Sequence, residues 1–161
     1  MAAIFEQLDK LLEMDRFLAY LVLESILWDW DGYPMNRNNY RVYHDPKKDK
    51  ISFIPSGMDQ MLGDPRGPIL PNFQGLIARA VIDTPEGKKR YYEKMADILK
   101  NVFVVETLHK RLDELETRIT PALTGIDVNL GRDYKNQVNR LRDAIKVRAK
   151  SVEDQLAKVK K

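Results

Sequence analysis

Residues 15–28 restrict the fold more than any other part of the chain. Their sequence, DRFLAYLVLESILW, is apolar at almost every position, so a helix built from it is apolar nearly all round. Such a helix must be covered on every side, because apolar surface is unfavourable in water. We therefore expect it to be the central helix of a mainly α-helical fold. Asp15 is its predicted N-cap, and a first helix is predicted at residues 3–13.

A small β-hairpin is predicted at about residues 39–55. Tyr40 and Val42 alternate with polar residues before the turn sequence DPKKDK, and Ile51 and Phe53 alternate after it. Alternation with a period of two on both sides of a polar turn is typical of two antiparallel strands.

The remainder of the chain is predicted to be one loop followed by helices. The loop is GDPRGPILPN, residues 63–72, which contains three prolines and two glycines. Thr84 precedes Pro85 and is the predicted N-cap of a long helix. The predicted helices cover about 73–83, 84–105, 106–118 and 133 to the chain end. The sequence thus predicts one mainly helical domain, residues 1–161, with a small hairpin.

Several kinds of chemistry are excluded by what the sequence lacks. There is no cysteine, so disulfides, thiolate metal sites and cysteine nucleophiles are impossible. The eight glycines never form a dinucleotide-binding fingerprint or a P-loop. His44 and His109 have no paired metal-ligand spacing and are interpreted as ordinary surface or boundary residues.

Charge and hydropathy argue against nucleic acid and membrane as partners. The longest apolar run, Phe17 to Leu23, is too short to cross a bilayer, and residues 1–10 do not have the pattern of an export signal. Residues 132–161 carry ten Lys or Arg against four Asp or Glu. These charges alternate with aliphatic residues at helical spacing, which favours a solvated helix face over a nucleic-acid stripe.

Acids, amides and aromatics are concentrated in WDWDGYPMNRNNY, residues 28–40. Asp31 and Asn36 have the DxxxxN spacing of a protein-kinase catalytic loop, where the Asp accepts the substrate hydroxyl proton and the Asn holds Mg²⁺. Kinases also follow this loop with a short hairpin and a metal-binding Asp, and here Asp59 follows the hairpin. Trp28 and Trp30 are interpreted as packing residues at the base of the loop.

The segment NRNNYRVYHDPKKDKISFIPSGMDQMLG, residues 36–63, resembles the centre of the CotH-type kinases, the spore coat protein H family. Residues 14–33, 84–99 and 148–157 resemble the helices that flank it. The resemblance implies the C-terminal lobe of an atypical protein-kinase-like fold. It also implies Mg²⁺ and ATP as cofactors, phosphorylation of Ser or Thr in secreted or coat proteins, and an extracytoplasmic bacterial source.

Site residues follow from the same resemblance. Asp59 matches the metal-binding aspartate, and Asp31 is the candidate general base, with Asp29 as a weaker rival. Three amides compete as nucleotide or metal ligands, namely Asn36, Asn38 and Asn39. Of these, Asn36 and Asn39 are the predicted metal ligands beside Asp59.

The sequence also departs from the family pattern. Ser56 and Gly57 stand where the family usually has Trp and Asp, which is expected to weaken nucleotide binding. The family's N-terminal lobe, with its phosphate-binding lysine, is expected to be a missing partner, so the isolated chain is expected to be inactive. The alternative function is a catalytically dead helical module that binds proteins, through its basic final helix.

Overall fold

A computed structural model describes residues 2–159. It confirms a mainly α-helical fold with one two-stranded hairpin. The elements are α1 (Ala2–Leu11), α2 (Met14–Leu27), α3 (Tyr33–Asn36), β1 (Tyr40–Asp45), β2 (Lys50–Pro55), α4 (Leu76–Ile82), α5 (Pro85–Asn101), α6 (Val105–Ile126) and α7 (Val128–Val159). The last two residues of the predicted final helix, 160 and 161, lie outside the described residues.

The central position of α2 is confirmed. Nine of its fourteen residues are buried, and it packs against α5 on one side and β2 on another. Its predicted N-cap is wrong, because the helix begins at Met14 and Glu13 occupies the cap position. Asp15 instead lies in the first turn and accepts a 2.7 Å hydrogen bond from Arg90, which lowers the pKa of Asp15.

The hairpin packs on the core through one aromatic side chain. β1 and β2 are antiparallel, with Tyr40 opposite Pro55 and Asp45 opposite Lys50. Phe53 is buried, and its ring centroid lies 4.9 Å from that of Phe17 on α2. The hairpin is thereby held against the central helix at the end of β2, from which the Asp59 loop departs.

Helix α5 begins where the sequence predicted. Thr84 is the N-cap, and its hydroxyl accepts a 3.0 Å hydrogen bond from the N–H of Gly87.

Helices α6 and α7 are longer than predicted, and only Asp127 separates them. Pro121 lies inside α6 without ending it. Gly131 permits the close approach of the two helices, since an added Cβ there would lie 2.0 Å from the hydroxyl oxygen of Thr124. No residue of α6 is buried, because α6 packs mainly against α7 rather than on the core. The break predicted between residues 118 and 133 is therefore wrong, since residues 119–126 continue α6 and residues 128–132 begin α7.

Between residues 2 and 159, the structure contains no helix with both the length and the apolar character needed to cross a membrane.

Candidate functional site

The candidate site begins where α2 ends. Trp28 adopts a left-handed conformation, with φ of 50°, and ends the helix. The backbone N–H of Asp29 then donates to the carbonyl of Glu24 at 2.9 Å. This turn directs the chain away from the helix axis and places Asp29 inside the protein and Asp31 at its surface.

A buried arginine on α7 forms hydrogen bonds with the backbone just before this turn. Arg148 has no exposed surface and donates to three backbone carbonyls, those of Ser25 at 2.6 Å, Ile26 at 2.8 Å and Gly67 at 2.6 Å. Its guanidinium also lies 5.7 Å from the ring centre of Trp28. Carbonyls in the last turn of a helix have no intrahelical partner, so a cation there is favourable.

Sequence reasoning missed Arg148, since the basic residues of this helix were interpreted as a solvated face. The sequence did contain a signal for its burial. Arg148 is spaced by three or four residues from Ile145 and Val152, and this spacing places it on the apolar face of α7 that also carries Leu156.

The structure brings Asp31 together with all three candidate asparagines. Its carboxylate accepts hydrogen bonds from the side-chain N–H groups of Asn36 at 2.6 Å, Asn39 at 2.8 Å and Asn38 at 3.2 Å. Asp31 is half-buried, so one side of the carboxylate stays open to solvent. Because each amide directs its nitrogen at Asp31, each has its oxygen available for another partner.

One helical turn and two left-handed residues bend the chain around Asp31. The stretch was expected to be a non-helical loop, but Tyr33–Asn36 forms the short helix α3, in which Pro34 occupies the first turn. Arg37 and Asn39 then have φ of 59° and 48°. The three amides follow Asp31 by five, seven and eight residues, and they could not converge on its carboxylate from an extended chain.

The loop after β2 packs against the same cluster. The N–H of Ser56 donates to the carbonyl of Asn39 at 3.1 Å. Gly57 has φ of 64°, and a Cβ at this position would lie 2.9 Å from the side chain of Asn39. Farther along, the N–H of Leu62 donates to the carbonyl of Leu27 at 2.6 Å. The Asp59 loop is thus fixed at both ends to the elements that carry Asp31.

Asp59 is exposed and, within residues 2–159, forms neither a side-chain hydrogen bond nor an ion pair. Its charge, like that of Asp31, acts on the buried carboxyl of Asp29. Asp31 and Asp59 therefore both lie near Asp29.

Three buried polar groups lie beneath this surface. Glu24 and Asp29 have no exposed area, and Tyr20 is 4% exposed. Burial, together with the charge of Asp29, raises the pKa of Glu24 to about 8. Burial also raises the pKa of Asp29, with a further contribution from the charges of Asp31 and Asp59. Asp29, the rival candidate for the general base, therefore lies in the interior, whereas Asp31 faces solvent.

Sequence reasoning did not single out Glu24. Its position in an otherwise apolar helix was the sign that could have identified it.

The remaining candidate residues divide between packing and surface roles. Trp28 packs against Gly67 and Arg148, as expected of a packing residue. Trp30 is 45% exposed, so its predicted packing role is wrong. His44 pairs with Asp49 in the hairpin, and His109 contacts a backbone carbonyl of α7. Neither histidine lies at the candidate site.

The donor set fits a hard cation that is shared with a phosphate group. Within the described residues no three His, Cys, Asp or Glu side chains are grouped to hold a metal ion. Mg²⁺, however, commonly takes one or two protein carboxylates and completes its coordination with water and substrate phosphates. Asp59 and the amide oxygens of Asn36 or Asn39 are ligands of this kind.

Comparisons with known proteins agree with the resemblance seen in the sequence. The sequence model of the CotH kinase protein family matches residues 1–152. Invasin CotH3 of the fungus Rhizopus delemar is 36% identical over 56 residues, which is 34% of this chain and 9% of that protein. Invasin CotH2 of the same fungus is 22% identical over 130 residues, 71% of this chain and 22% of that protein.

The chain thus spans less than a quarter of the length of these curated relatives. Because both relatives are fungal, the expected bacterial, extracytoplasmic source stays a prediction.

Proposed function

Since this chain belongs to the CotH kinase protein family, we propose that it forms the C-terminal catalytic part of an atypical protein kinase. The proposed reaction is transfer of the γ-phosphoryl group of Mg²⁺-ATP to a Ser or Thr hydroxyl of a secreted or coat protein. Asp31 is the general base. Asp59 and the amide oxygens of Asn36 and Asn39 hold the metal, and Asn38 helps to bind the nucleotide.

The observation that carries the proposal is the convergence of three asparagine amides on one solvent-facing carboxylate. A general base in phosphoryl transfer must be held in a fixed orientation at the surface where the substrate hydroxyl arrives. The amides of Asn36 and Asn39 restrain both carboxylate oxygens of Asp31, at 2.6 and 2.8 Å. A carboxylate that served only to cap a turn would not need three side-chain donors.

In the proposed reaction Asp31 accepts the proton of the attacking Ser or Thr hydroxyl. Mg²⁺, when bound, would neutralise charge on the ATP phosphates. Asp59 supports this arrangement because it is exposed, forms no ion pair among the described residues and lies in a loop anchored to Asn39 and Leu27. Gly57 supports it through the close packing of that loop on Asn39.

We propose that the phosphate-binding lysine comes from an N-terminal lobe of the same protein, which is the partner of this part. A kinase site needs such a lysine beside the α- and β-phosphates. The length of the curated relatives leaves room for it.

Equilibrium binding of ATP tests the proposal. It should be measured with and without Mg²⁺ on the longest native polypeptide that contains residues 1–161. We expect Mg²⁺-dependent binding that falls at least about tenfold in Asp59→Ala, because a metal carboxylate ligand is lost. Asp83→Ala, an exposed aspartate after α4, is the matched control and should bind like the wild type. Equal binding by the wild type and Asp59→Ala would contradict the proposal.

A second function, a catalytically dead module that binds other proteins, has two observations in its favour. Ser56 and Gly57 stand where the resemblance implies Trp and Asp, and the curated relatives are named invasins. Under this function the native protein would bind no Mg²⁺-ATP at all, so the same titration discriminates between the two.

A further inference from the structure

The buried group beneath the candidate site lacks hydrogen-bond donors. No hydrogen bond of ordinary geometry links the side-chain oxygens of Tyr20, Glu24 or Asp29 to any group in residues 2–159. Buried polar groups are nearly always paired, since each one left unpaired costs roughly 1–3 kcal/mol. The Tyr20 hydroxyl and one carboxyl proton are at most two donors for the four carboxyl oxygens of Glu24 and Asp29. The described residues therefore leave part of this group without a donor.

A cavity reaches this group from the surface. It lies between α2 and the end of β2, has a volume of about 390 Å³ and is lined by Tyr20 and Glu24. The rest of its wall is mostly apolar and includes Leu23, Leu27, Phe53, Ile54 and Met58. A ligand that fits this cavity is apolar along its length and polar at one end.

The charge of the acids selects a cation as the polar end. Glu24 and Asp29 share one proton at neutral pH, because burial and their mutual repulsion favour the protonated form of one of them. The pair then keeps one negative charge, which is costly to bury without a partner. A single ammonium or guanidinium group matches this charge and supplies several N–H donors.

The chain's own residues do not provide this cation. Arg16 also lines the cavity, but it is exposed and forms no hydrogen bond with either acid. It precedes Glu24 by eight residues on the same helix, a rise of about 12 Å along the axis. A divalent ion fits less well, because no three His, Cys, Asp or Glu side chains of the described residues are grouped around a point.

We propose that this cavity receives the side chain of a lysine or arginine from an apolar polypeptide segment that docks on α2 and β2. The aliphatic stem lies along Leu23, Leu27 and Phe53, and the cationic head is bound by Glu24 and the Tyr20 hydroxyl, which line the cavity. Asp29 does not line the cavity and contributes through the charge that it shares with Glu24. Long basic side chains commonly bury their stems against apolar surface in this way. The inference goes beyond the proposed phosphotransfer and requires no nucleotide.

An NMR titration with side-chain analogues tests it on the full 161-residue chain. The probes are n-butylguanidinium and n-butylammonium, and n-pentanol is the neutral probe of similar length. We expect the cations to produce saturable shifts in the methyl signals of Ala19, Leu23 and Met58. Glu24→Gln should weaken cation binding at least tenfold, and pentanol should bind at least tenfold more weakly than butylguanidinium.

Two further variants separate the site from general effects. Glu13, the residue just before α2, is an acid that pairs with Lys48 of the hairpin. Glu13→Gln should leave the affinity for the cationic probes unchanged. Ala19→Leu narrows the cavity while it keeps both acids, and it should abolish the shifts even if Glu24→Gln fails to fold. Absence of saturable shifts, equal binding of pentanol, unaltered binding in Ala19→Leu, or displacement of the probes by Mg²⁺ would each overturn the proposal. Because ATP is absent from this experiment, its failure leaves the phosphotransfer proposal untouched.

Discussion

Two groups of acidic side chains lie within eight residues of each other and have opposite surroundings. Asp31 is half-buried and accepts hydrogen bonds from three side-chain amides. Glu24 and Asp29 are fully buried and have no hydrogen-bond donor among residues 2–159. The difference teaches that the first carboxylate is held near the surface by side-chain donors, whereas the second pair is buried at the cost of its hydration. Substitutions should therefore affect activity at one group and stability at the other.

The largest effect is expected on catalysis at Asp31. Asp31→Asn removes the proposed base and should lower kcat by about 10²–10⁴-fold, the usual range for general-base catalysis. Its free energy of unfolding should fall by only about 1–2 kcal/mol, because the amide oxygen still accepts on one side while the new NH2 group faces a donor on the other. Protein phosphorylation and urea denaturation measure the two quantities on the native protein, with Asp83→Asn as the control. If Asp31→Asn lost as much free energy of unfolding as it lost in activation free energy, Asp31 would be a structural residue like Glu24 and Asp29.

Arg148 supports both groups, so its loss should be the largest effect on stability. Arg148→Met removes three hydrogen bonds, at an expected loss of about 4 kcal/mol. The carbonyl of Ile26 is left without a donor, whereas that of Ser25 still accepts from the N–H of Trp28 and that of Gly67 from the side chain of Gln155. Arg140→Met, an exposed change on the same helix, should alter stability by less than about 0.5 kcal/mol. Urea denaturation monitored by circular dichroism measures both. Equal stabilities would mean that the carbonyls find other partners.

The buried pair should make stability depend on pH. The pKa of Glu24 is raised to about 8 in the folded state, from 4.5. Between these values the folded state holds a proton that the unfolded state releases, so raising the pH favours unfolding. We expect the wild type to lose about 3 kcal/mol between pH 5 and pH 8, and Glu24→Gln to lose much less. Parallel stability curves for the two proteins would show that Glu24 carries no such shift.

The smallest of these effects concerns the contact between the Asp59 loop and the amide cluster. Gly57→Ala adds a Cβ at a left-handed residue, 2.9 Å from the side chain of Asn39, and should cost about 1–2 kcal/mol. The control is Gly63→Ala, where an added Cβ meets nothing within 4 Å. Chemical denaturation measures the loss, and the side-chain amide signal of Asn39 reports whether its bond to Asp31 survives. An unaltered Asn39 signal in Gly57→Ala would show that the Asp59 loop does not support the hydrogen bond between Asn39 and Asp31.

Local sequence patterns predicted the elements whose formation depends mainly on neighbouring residues. The central helix followed from its uniform apolarity, the hairpin from alternation around a polar turn, and the start of α5 from the cap at Thr84. The grouping of Asp31 with Asn36 followed from spacing along one loop. The participation of Asn38 and Asn39 together was left open, because it depends on left-handed residues that no period reveals.

The missed features depend on contacts between residues far apart in sequence. Arg148 reaches carbonyls more than 120 residues earlier, so only the folded chain shows that it is buried. The burial of Glu24 and Asp29 requires the turn at Trp28, and the exposure of Trp30 follows from the same turn. The C-terminal end of α6 and the N-terminal end of α7 were predicted wrongly. Residues there pack on the other helix of the pair and do not face the core.

One long helix, α7, connects distant parts of this molecule. Helix α7 runs for 32 residues, which corresponds to about 48 Å, and Arg148 on its inner half holds the carbonyls just before Asp29. Its outer half pairs with α6 beyond the core. Because one helix carries both contacts, a change in the direction of its axis would move the α6 packing surface and the Arg148 guanidinium together.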